Sequence, residues 1–343
     1  MKHIPFTSIS GIRVGQVEDT QAGTGVTVLV APNGMAASID VRGGGPASRD
    51  TRVLDPLAAA ESIHAVVLGG GSAYGLDAAG GVMRCLEEKG IGLTVLPNVI
   101  VPLVCQSDIF DLGVGSSTVR PDAAMGYAAC SAAFEGDAGN YQDGNFGAGC
   151  GATVGKVAGP SFAMKTGIGS AAIEVGDLQV GAIVVLNACG DIYDSRTGAK
   201  IAGARTSHDC SQLMYAALEA PKEAHKLAAP DTADDTNAST QNGTDNPGMA
   251  TNTTIGAIVT NAKLTKSQLC KLAGMAHDGY ARAIRPVHTS MDGDSIYGIS
   301  VGSVEAPLDI IGSLAADVME QAIRTACYSA DAAFDLPSAK KSE

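Results

Sequence analysis

The apolar residues form short runs that predict β-strands. Residues 25–30 alternate in polarity, as in a strand with one covered face. Residues 65–68 and 180–186 are almost continuously apolar, and residues 255–260 and 296–301 form two later strand-like runs. Continuous apolar runs of this length are typical of strands that are covered on both faces. The pattern therefore predicts strands that lie between other layers.

Segments with helical character separate these strands. Residues 55–64 predict a short helix and residues 72–89 a longer one. Residues 266–285 predict a helix that opens on a capping box at Thr265, and residues 308–334 are mostly helical in character. The alternation of the two kinds of segment predicts an α/β fold.

One segment has the composition of neither a strand nor a helix. The chain changes in composition at Pro221, and residues 230–252 read PDTADDTNASTQNGTDNPGMATN. Such a segment cannot offset its ordering entropy by burial, so residues 221–252 are predicted to form a mobile tail. It is either a tolerated surface insertion or a processing site joined directly to the strand at residues 255–260.

Composition narrows the classes of function. The 343 residues carry a net charge of −13, which argues against nucleic acid as a partner. No apolar run is long enough to suggest a membrane helix, and the first residues lack the apolar stretch of a signal peptide. We therefore expect a cytoplasmic protein without membrane contact. The eight cysteines are widely spread without a C-x-x-C pair, and the sequence predicts no metal or organic cofactor.

Two glycine-rich stretches depart from known motifs at decisive positions. In residues 69–75, Tyr74 stands where both the dinucleotide fingerprint and the nucleophile elbow require glycine. In residues 151–157, the spacing is one residue short of a phosphate loop and Val157 replaces the required Ser or Thr. These glycines are more typical of close backbone approach at a turn.

The bond between Asn252 and Thr253 suggests a different chemistry. If this bond is cut, Thr253 becomes a chain terminus with both a hydroxyl and a free α-amine. An α-amine has a pKa of about 7.7–8.0 and can accept a proton near neutrality. One residue then supplies the nucleophile and its base. The hydroxyl that attacks a substrate could also attack the preceding carbonyl and release this terminus.

Four motifs, in matching order along nearly the whole chain, resemble the DmpA-like aminopeptidases. This family includes L-aminopeptidase/D-esterases, β-aminopeptidases and nylon-oligomer hydrolases. The motifs are NTTIGAIVTNA at residues 252–262, GGGSAYGLDA at 69–78, RGG at 42–44 and HTSMDGD at 288–294. The last motif is especially similar to the nylon-oligomer hydrolase branch.

The resemblance implies a fold and an assembly. The fold would be the αββα four-layer sandwich shared with ornithine acetyltransferases, of the N-terminal-nucleophile (Ntn) hydrolase type. A single catalytic domain, residues 1–343, would cleave itself into an α chain, residues 1–252, and a β chain, residues 253–343. The two chains would stay together and form a homo-oligomer, a tetramer of αβ units.

The resemblance also implies roles for five residues. Thr253 would be the nucleophile, and Asn187 would donate its side-chain amide to the oxyanion. Asp292 and Asp294 would orient the hydroxyl and amine of Thr253, and Lys156 would favour deprotonation of the nucleophile. Ordinary structural explanations remain for these positions: a turn residue after a strand, hairpin residues, and a solvated lysine.

Three functions are compatible with these residues. The first is an Ntn amide hydrolase that acts on short peptides, aminoacyl amides or esters, or ω-amino acid oligomers, without a cofactor. The second is an ornithine acetyltransferase-like acyltransferase, which shares the fold and a processed threonine. The third is an uncleaved binding or scaffold protein. Compared with the β-aminopeptidase branch, threonine replaces the serine nucleophile, Asp292 replaces a serine, and a tyrosine near Gly155 is missing; these differences concern the choice of substrate.

Overall fold

The computed structural model describes residues 1–219 and 252–340. Within them the helices are α1 (Ala78–Glu88), α2 (Ala123–Ala132), α3 (Cys210–Glu219), α4 (Lys266–Ala283) and α5 (Leu308–Tyr328). The strands are β1 (Lys2–Ile4), β2 (Arg13–Asp19), β3 (Thr24–Val41), β4 (Ala47–Arg49), β5 (Ile63–Gly69), β6 (Leu93–Leu96), β7 (Val99–Val101), β8 (Val104–Asp108), β9 (Thr153–Val154), β10 (Met164–Lys165), β11 (Ile168–Val175), β12 (Leu178–Val185), β13 (Asp191–Tyr193), β14 (Lys200–Ala202), β15 (Ile255–Ala262), β16 (Ile284–Arg285) and β17 (Ser295–Val304).

The long strand β3 joins two sheets. Its first half pairs with β2 and β5, and β5 continues through β8 to β4. Its second half pairs with β17, and that sheet continues through β15, β12 and β11 to β1. The register of β3 against β5 shifts between Val30 and Met35, which is where the strand passes from one sheet to the other. One strand thus fixes how the two sheets lie against each other.

Three buried layers separate four structural layers. Apolar side chains between the two sheets form the middle layer, with Leu29, Ile183 and Ile255 among its members. Helices α4 and α5 cover the outer face of one sheet, and α1 and α2 cover the outer face of the other. In β12, Val184 faces the helices and Ile183 faces the other sheet. The predicted αββα sandwich is confirmed, and burial on both faces explains the continuous apolar runs.

The predicted strands at the cleavage site are also confirmed. Strand β15 lies inside its sheet, antiparallel to β12 and parallel to β17. It begins two residues after Thr253, at Ile255. The tail predicted for residues 221–252 lies outside the described residues except for Asn252, so its predicted mobility stays a prediction.

The helix predicted for residues 55–64 is wrong. The chain makes a turn there instead, and His64 lies in β5. The Lys266 ammonium accounts for this, because it donates to the carbonyl oxygens of Ala58 and Ala60, at 3.2 and 3.0 Å. Leu57 is 91% exposed, so a helix would have had no apolar face to bury.

Two other helix predictions need new boundaries. The segment at residues 72–89 begins as a 3₁₀ turn, Ser72–Asp77, and becomes α-helical only at Ala78. Helix α5 ends at Tyr328 rather than continuing to residue 334. Beyond it the chain doubles back, and the N–H of Lys165 donates to the carbonyl of Pro337 at 2.8 Å. Helix α4 begins at its predicted capping box.

That capping box gives a test of local stability. The Thr265 hydroxyl accepts from the N–H of Gln268, whose side chain accepts from the N–H of Thr265 at 2.9 Å. Replacing Thr265 with Ala removes one of these bonds, and we expect the free energy of unfolding to fall by about 1 kcal/mol. Urea denaturation of the Thr265→Ala and Ser267→Ala variants checks this, because Ser267 is exposed in the same turn. Equal stability of the two variants would contradict the prediction.

Candidate active site

Thr253 is buried between the ends of two strands. It is 3% exposed, and its N–H donates to the carbonyl oxygen of Asn187 at 2.8 Å. Asn187 lies two residues beyond the end of β12, the strand that pairs with β15. The Thr253 hydroxyl donates to the carbonyl oxygen of Asn252. The hydroxyl and the carbonyl of the predicted cleavage bond are therefore in direct contact.

The Asn252 carbonyl has a second partner that the sequence did not reveal. The backbone N–H of Gly293 donates to this oxygen at 3.1 Å. The contact arises because Asn252 and Asp292 continue the parallel pairing of β15 with β17. A side chain at position 293 would place its Cβ 2.7 Å from Oγ1 of Thr253. The glycine between the two predicted aspartates thus allows the close approach.

Asn187 links the nucleophile to three other residues. Its Oδ1 accepts from Nζ of Lys156 at 2.7 Å and from the N–H of Thr153 at 3.1 Å. Its side-chain amide donates to the carbonyl oxygen of Phe110 at 3.1 Å. An amide nitrogen carries two hydrogens, so one remains for another acceptor.

Lys156 is held against Asn187 by both of that residue's oxygens. Besides the contact with Oδ1, its Nζ donates to the backbone carbonyl of Asn187 at 3.3 Å. Burial lowers the pKa of Lys156 to about 8, although the nearby carboxylates of Asp292 and Asp111 favour the charged form. Lys156 therefore remains a cation at neutral pH and loses its proton under mildly alkaline conditions.

Asp292 is a buried carboxylate with several donors. Its Oδ1 accepts from the N–H of Cys189 at 3.1 Å, and its Oδ2 accepts from the hydroxyl and the N–H of Thr289. Burial, together with the neighbouring charge of Asp294, raises the pKa of Asp292 to about 6. These hydrogen bonds and the Lys156 cation oppose that shift.

Asp294 binds the backbone of the residue that follows the nucleophile. Its Oδ1 accepts from the N–H of Thr254 at 2.8 Å. Its Oδ2 contacts Nδ1 of His288 at 2.9 Å and accepts from the N–H of the same residue. Asp294 therefore fixes the residue that follows Thr253.

His288 is a second residue that the sequence reasoning did not single out. Its backbone is left-handed, with φ of 57°, and its ring lies among those of His277 and Tyr280, with centroids 4.7 and 6.0 Å away. Burial is the main reason that the pKa of His277 falls to about 4. The only sequence signal was its place at the start of the HTSMDGD motif.

The five predicted residues therefore lie in one cluster. Thr253 contacts Asn187, Lys156 contacts Asn187, and the two aspartates immediately precede β17, the strand that pairs with β15. Their chemical roles stay predictions. Within residues 1–219 and 252–340, no group of three or more His, Cys, Asp or Glu is arranged to hold a metal ion. The eight cysteines all lie in this part of the chain and are free.

An open cavity adjoins the cluster. It has a volume of about 480 Å³, and Phe110, Thr153 and Lys156 form part of its wall. All three residues bind the side chain of Asn187. A molecule in this cavity would therefore be separated from Thr253 by Asn187.

The pKa of Asp292 predicts how stability depends on pH. A carboxyl whose folded pKa is raised favours the folded state only in its protonated form, so its contribution is lost as pH rises from about 4 to about 6. We expect the free energy of unfolding of the parent to fall relative to that of Asp292→Asn across this window. Urea titrations at a series of pH values measure this difference in the free energy of unfolding. The parent and Asp292→Asn both carry Thr253→Ala, which keeps the chain intact. A difference that does not change with pH would contradict the shift.

No helix among the described residues is both long and apolar enough to cross a membrane.

The fold is similar to that of solved structures at low sequence identity. One is an L-aminopeptidase D-Ala-esterase/amidase from Ochrobactrum anthropi, described as a variant of the Ntn hydrolase fold, with a TM-score of 0.65 and 17% identity over 94% of this chain and 85% of that one. A Burkholderia β-aminopeptidase has a TM-score of 0.60 and 19% identity over 94% and 86% of the two chains. These likenesses confirm the predicted fold class.

Sequence comparison gives the family. Residues 5–335 match peptidase family S58. An uncharacterized aminopeptidase of Mycobacterium leprae is 36% identical over 97% of this chain and 92% of its own length. A 6-aminohexanoate-oligomer endohydrolase of a Kocuria species is 30% identical over 91% and 83% of the two chains. The acyltransferase alternative is not favoured by these matches. The chain therefore belongs to peptidase family S58, the DmpA-like aminopeptidases, and is an amide hydrolase.

Proposed function

We propose that the chain cleaves its own bond between Asn252 and Thr253 and then uses Thr253 to hydrolyse small amides and peptides. The observation that carries this proposal is the geometry of the bond itself. The hydroxyl of Thr253 and the N–H of Gly293 both contact the carbonyl oxygen of Asn252. A nucleophile and a hydrogen-bond donor thus lie at one peptide carbonyl inside the protein.

In the self-cleavage step, Oγ1 of Thr253 attacks the carbonyl carbon of Asn252. The charge that develops on the carbonyl oxygen is stabilised by the N–H of Gly293. The C–N bond breaks, the nitrogen of Thr253 takes up the proton that the hydroxyl gives up, and an ester joins the two residues. Water hydrolyses this ester, which leaves the Asn252 carboxylate, the Thr253 hydroxyl and a free α-amine.

In the processed enzyme, the α-amine of Thr253 accepts the proton of its own hydroxyl as Oγ1 attacks the substrate carbonyl. The carbonyl oxygen of Asn187, 2.8 Å from this nitrogen, orients the amine. The amine then gives its proton to the leaving nitrogen, and an acyl-enzyme remains on Oγ1. Water, deprotonated by the same amine, releases the acid and restores Thr253.

The surrounding groups supply charge and orientation. The second hydrogen of the Asn187 amide donates to the substrate oxyanion, where such a donor is worth about 3–4 kcal/mol. Lys156 is a cation beside that amide and favours the developing negative charge. Asp292 holds the loop that follows Asn187 through the N–H of Cys189, and Asp294 holds the N–H of Thr254, the residue after Thr253. The hydrolase therefore needs no metal for these steps.

The comparisons support a range of small amide substrates. The relatives include proteins named as aminopeptidases and as 6-aminohexanoate-oligomer endohydrolases. We infer aminoacyl amides, short peptides or ω-amino acid oligomers as substrates, with the acyl part in the cavity next to Lys156. We also propose a homo-oligomer, a tetramer of αβ units, in the cytoplasm.

Self-cleavage predicts two fragments in the purified protein. The fragments would be residues 1–252 and 253–343, and sequencing of the smaller one from its N-terminus should begin Thr-Thr-Ile-Gly. Thr253→Ala should give a folded, single-chain protein that hydrolyses no amide, because the attacking oxygen is gone. Thr253→Ser retains a hydroxyl and should still cleave. Amide hydrolysis by the intact Thr253→Ala chain would refute the assignment.

Gly293→Ala should slow self-cleavage. Its methyl group would lie 2.7 Å from Oγ1 of Thr253 and 2.8 Å from the carbonyl oxygen of Gly45, so the donor or the nucleophile must move. We expect the rate of fragment formation to fall by about 100-fold, since a displacement of this size or loss of an oxyanion donor has that effect.

Electrophoresis over time measures this rate. Gly80→Ala is the matched control, because a Cβ at Gly80 meets a single atom at 4.0 Å, in a flexible arginine side chain. Self-cleavage of Gly293→Ala at the rate of the control would show that the Gly293 contact has no part in the step.

A further inference from the structure

The wall of the cavity beside the active site carries side chains of opposite charge. Lys156, which contacts Asn187, is the cation. Asp335, on the segment after helix α5, is the carboxylate in the cavity wall. Phe110, Val114, Phe334 and Leu336 are apolar members of the same wall. The cavity therefore presents an apolar lining together with one anionic group that the reaction scheme does not use.

Asp335 lies in a turn whose backbone is left-handed. Phe334 and Asp335 have φ values of 55° and 59°, both in the left-handed region. They form the tip of a two-residue turn, since the backbones of Ala333 and Leu336 exchange hydrogen bonds of 3.2 and 3.0 Å. Such a turn prefers Gly, Asn or Asp, so Asp335 suits its position whereas Phe334 is strained there. Strain of this kind is often located at ligand sites.

The rest of the chain holds the turn in place. The N–H of the buried Lys165 donates to the carbonyl of Pro337 at 2.8 Å, just beyond the turn. The ring of Phe334 packs over Gly23, where a Cβ would come within 2.9 Å of it. The position of Asp335 is therefore set by contacts on both sides of it, and a fixed turn can present its carboxylate to a ligand.

Asp335 is also free to take a cationic partner. It is exposed, and within residues 1–219 and 252–340 no lysine, arginine or histidine lies within 4.0 Å of its carboxylate. The nearby Asp331 differs, because it pairs with Lys340 at 2.8 Å. An unpaired carboxylate at an apolar cavity matches a ligand with an apolar body and a cationic end.

We propose that Asp335 is a specificity-determining residue that binds the free ammonium group of the substrate's acyl part. The acyl carbonyl lies at Thr253, the carbon chain lies against Phe110 and Phe334, and the ammonium group contacts the Asp335 carboxylate. This inference rests on the proposed function, since it places the acyl part of the substrate in that cavity. It adds which group of the substrate is recognised and by which side chain.

Ligand binding tests this inference separately from catalysis. Calorimetry would compare an ω-amino acid, 6-aminohexanoate, with hexanoate, and glycinamide with acetamide, on the processed wild-type protein. Glycine and acetate replace glycinamide and acetamide wherever hydrolysis of the amide would contribute heat. We expect at least one amino ligand to bind about tenfold more tightly than its amine-free partner, as a charge-assisted contact predicts. In Asp335→Asn that preference should disappear. Asp331→Asn, an exposed aspartate of the same segment outside the cavity wall, should retain it.

The outcomes separate the two proposals. Loss of the preference in Asp335→Asn, with self-cleavage unchanged, supports the assignment. An equal preference in Asp335→Asn and wild type, or no preference in wild type, overturns it while leaving the hydrolase proposal intact. Failure of the chain to cleave or to hydrolyse any amide would instead contradict the proposed function. Asp335→Lys provides a second variant, in which the preference should reverse toward ligands without an amine.

Discussion

Burial of charge next to a nucleophile is the constraint on which this site depends. Lys156, Asp292 and Asp294 all lie close to Thr253 and are linked to it through a few intervening residues. Unpaired charge is costly in such a buried region. Each charge has hydrogen-bond partners in the backbone or in neighbouring side chains. The same hydrogen bonds that make burial tolerable also fix the segments around Thr253. Stability and positioning therefore come from one set of contacts.

Strand pairing converts this local network into a defined geometry. Because β15 and β17 are parallel and in register, Ile255 lies opposite Ser295, and the residues before them approach each other. The pairing extends to Asn252 and Asp292 and brings the N–H of Gly293 to the Asn252 carbonyl. A shift of one residue in this register would turn every side chain of the strand to the other face.

The sequence was sufficient to predict the features that depend on side-chain type and on the spacing of apolar residues. Thr253, Asn187, Lys156 and the two aspartates were predicted through the family resemblance, and the double-sided burial of β12 was visible in its apolar run. Every residue except proline has a backbone N–H, so the sequence does not show that the N–H of Gly293 takes part in the site.

The errors have a common physical cause, which is that distant contacts override local propensity. The helix expected at residues 55–64 is absent because Lys266, far along the chain, takes carbonyl groups that a helix would need. The turn at Phe334 could not be foreseen either, since phenylalanine is not a residue that local rules place at positive φ. Both features are set by residues that are remote in sequence.

The interior position of β15 has a consequence for a chain cut before Thr253. Strands β15 and β17 and helices α4 and α5 all follow that bond, yet they pack on strands that precede it. Pulling the two pieces apart would expose the core between the sheets and the core under α4 and α5 together. A broken chain of this design therefore dissociates only by unfolding, and its halves act as complementary parts of one cooperative unit.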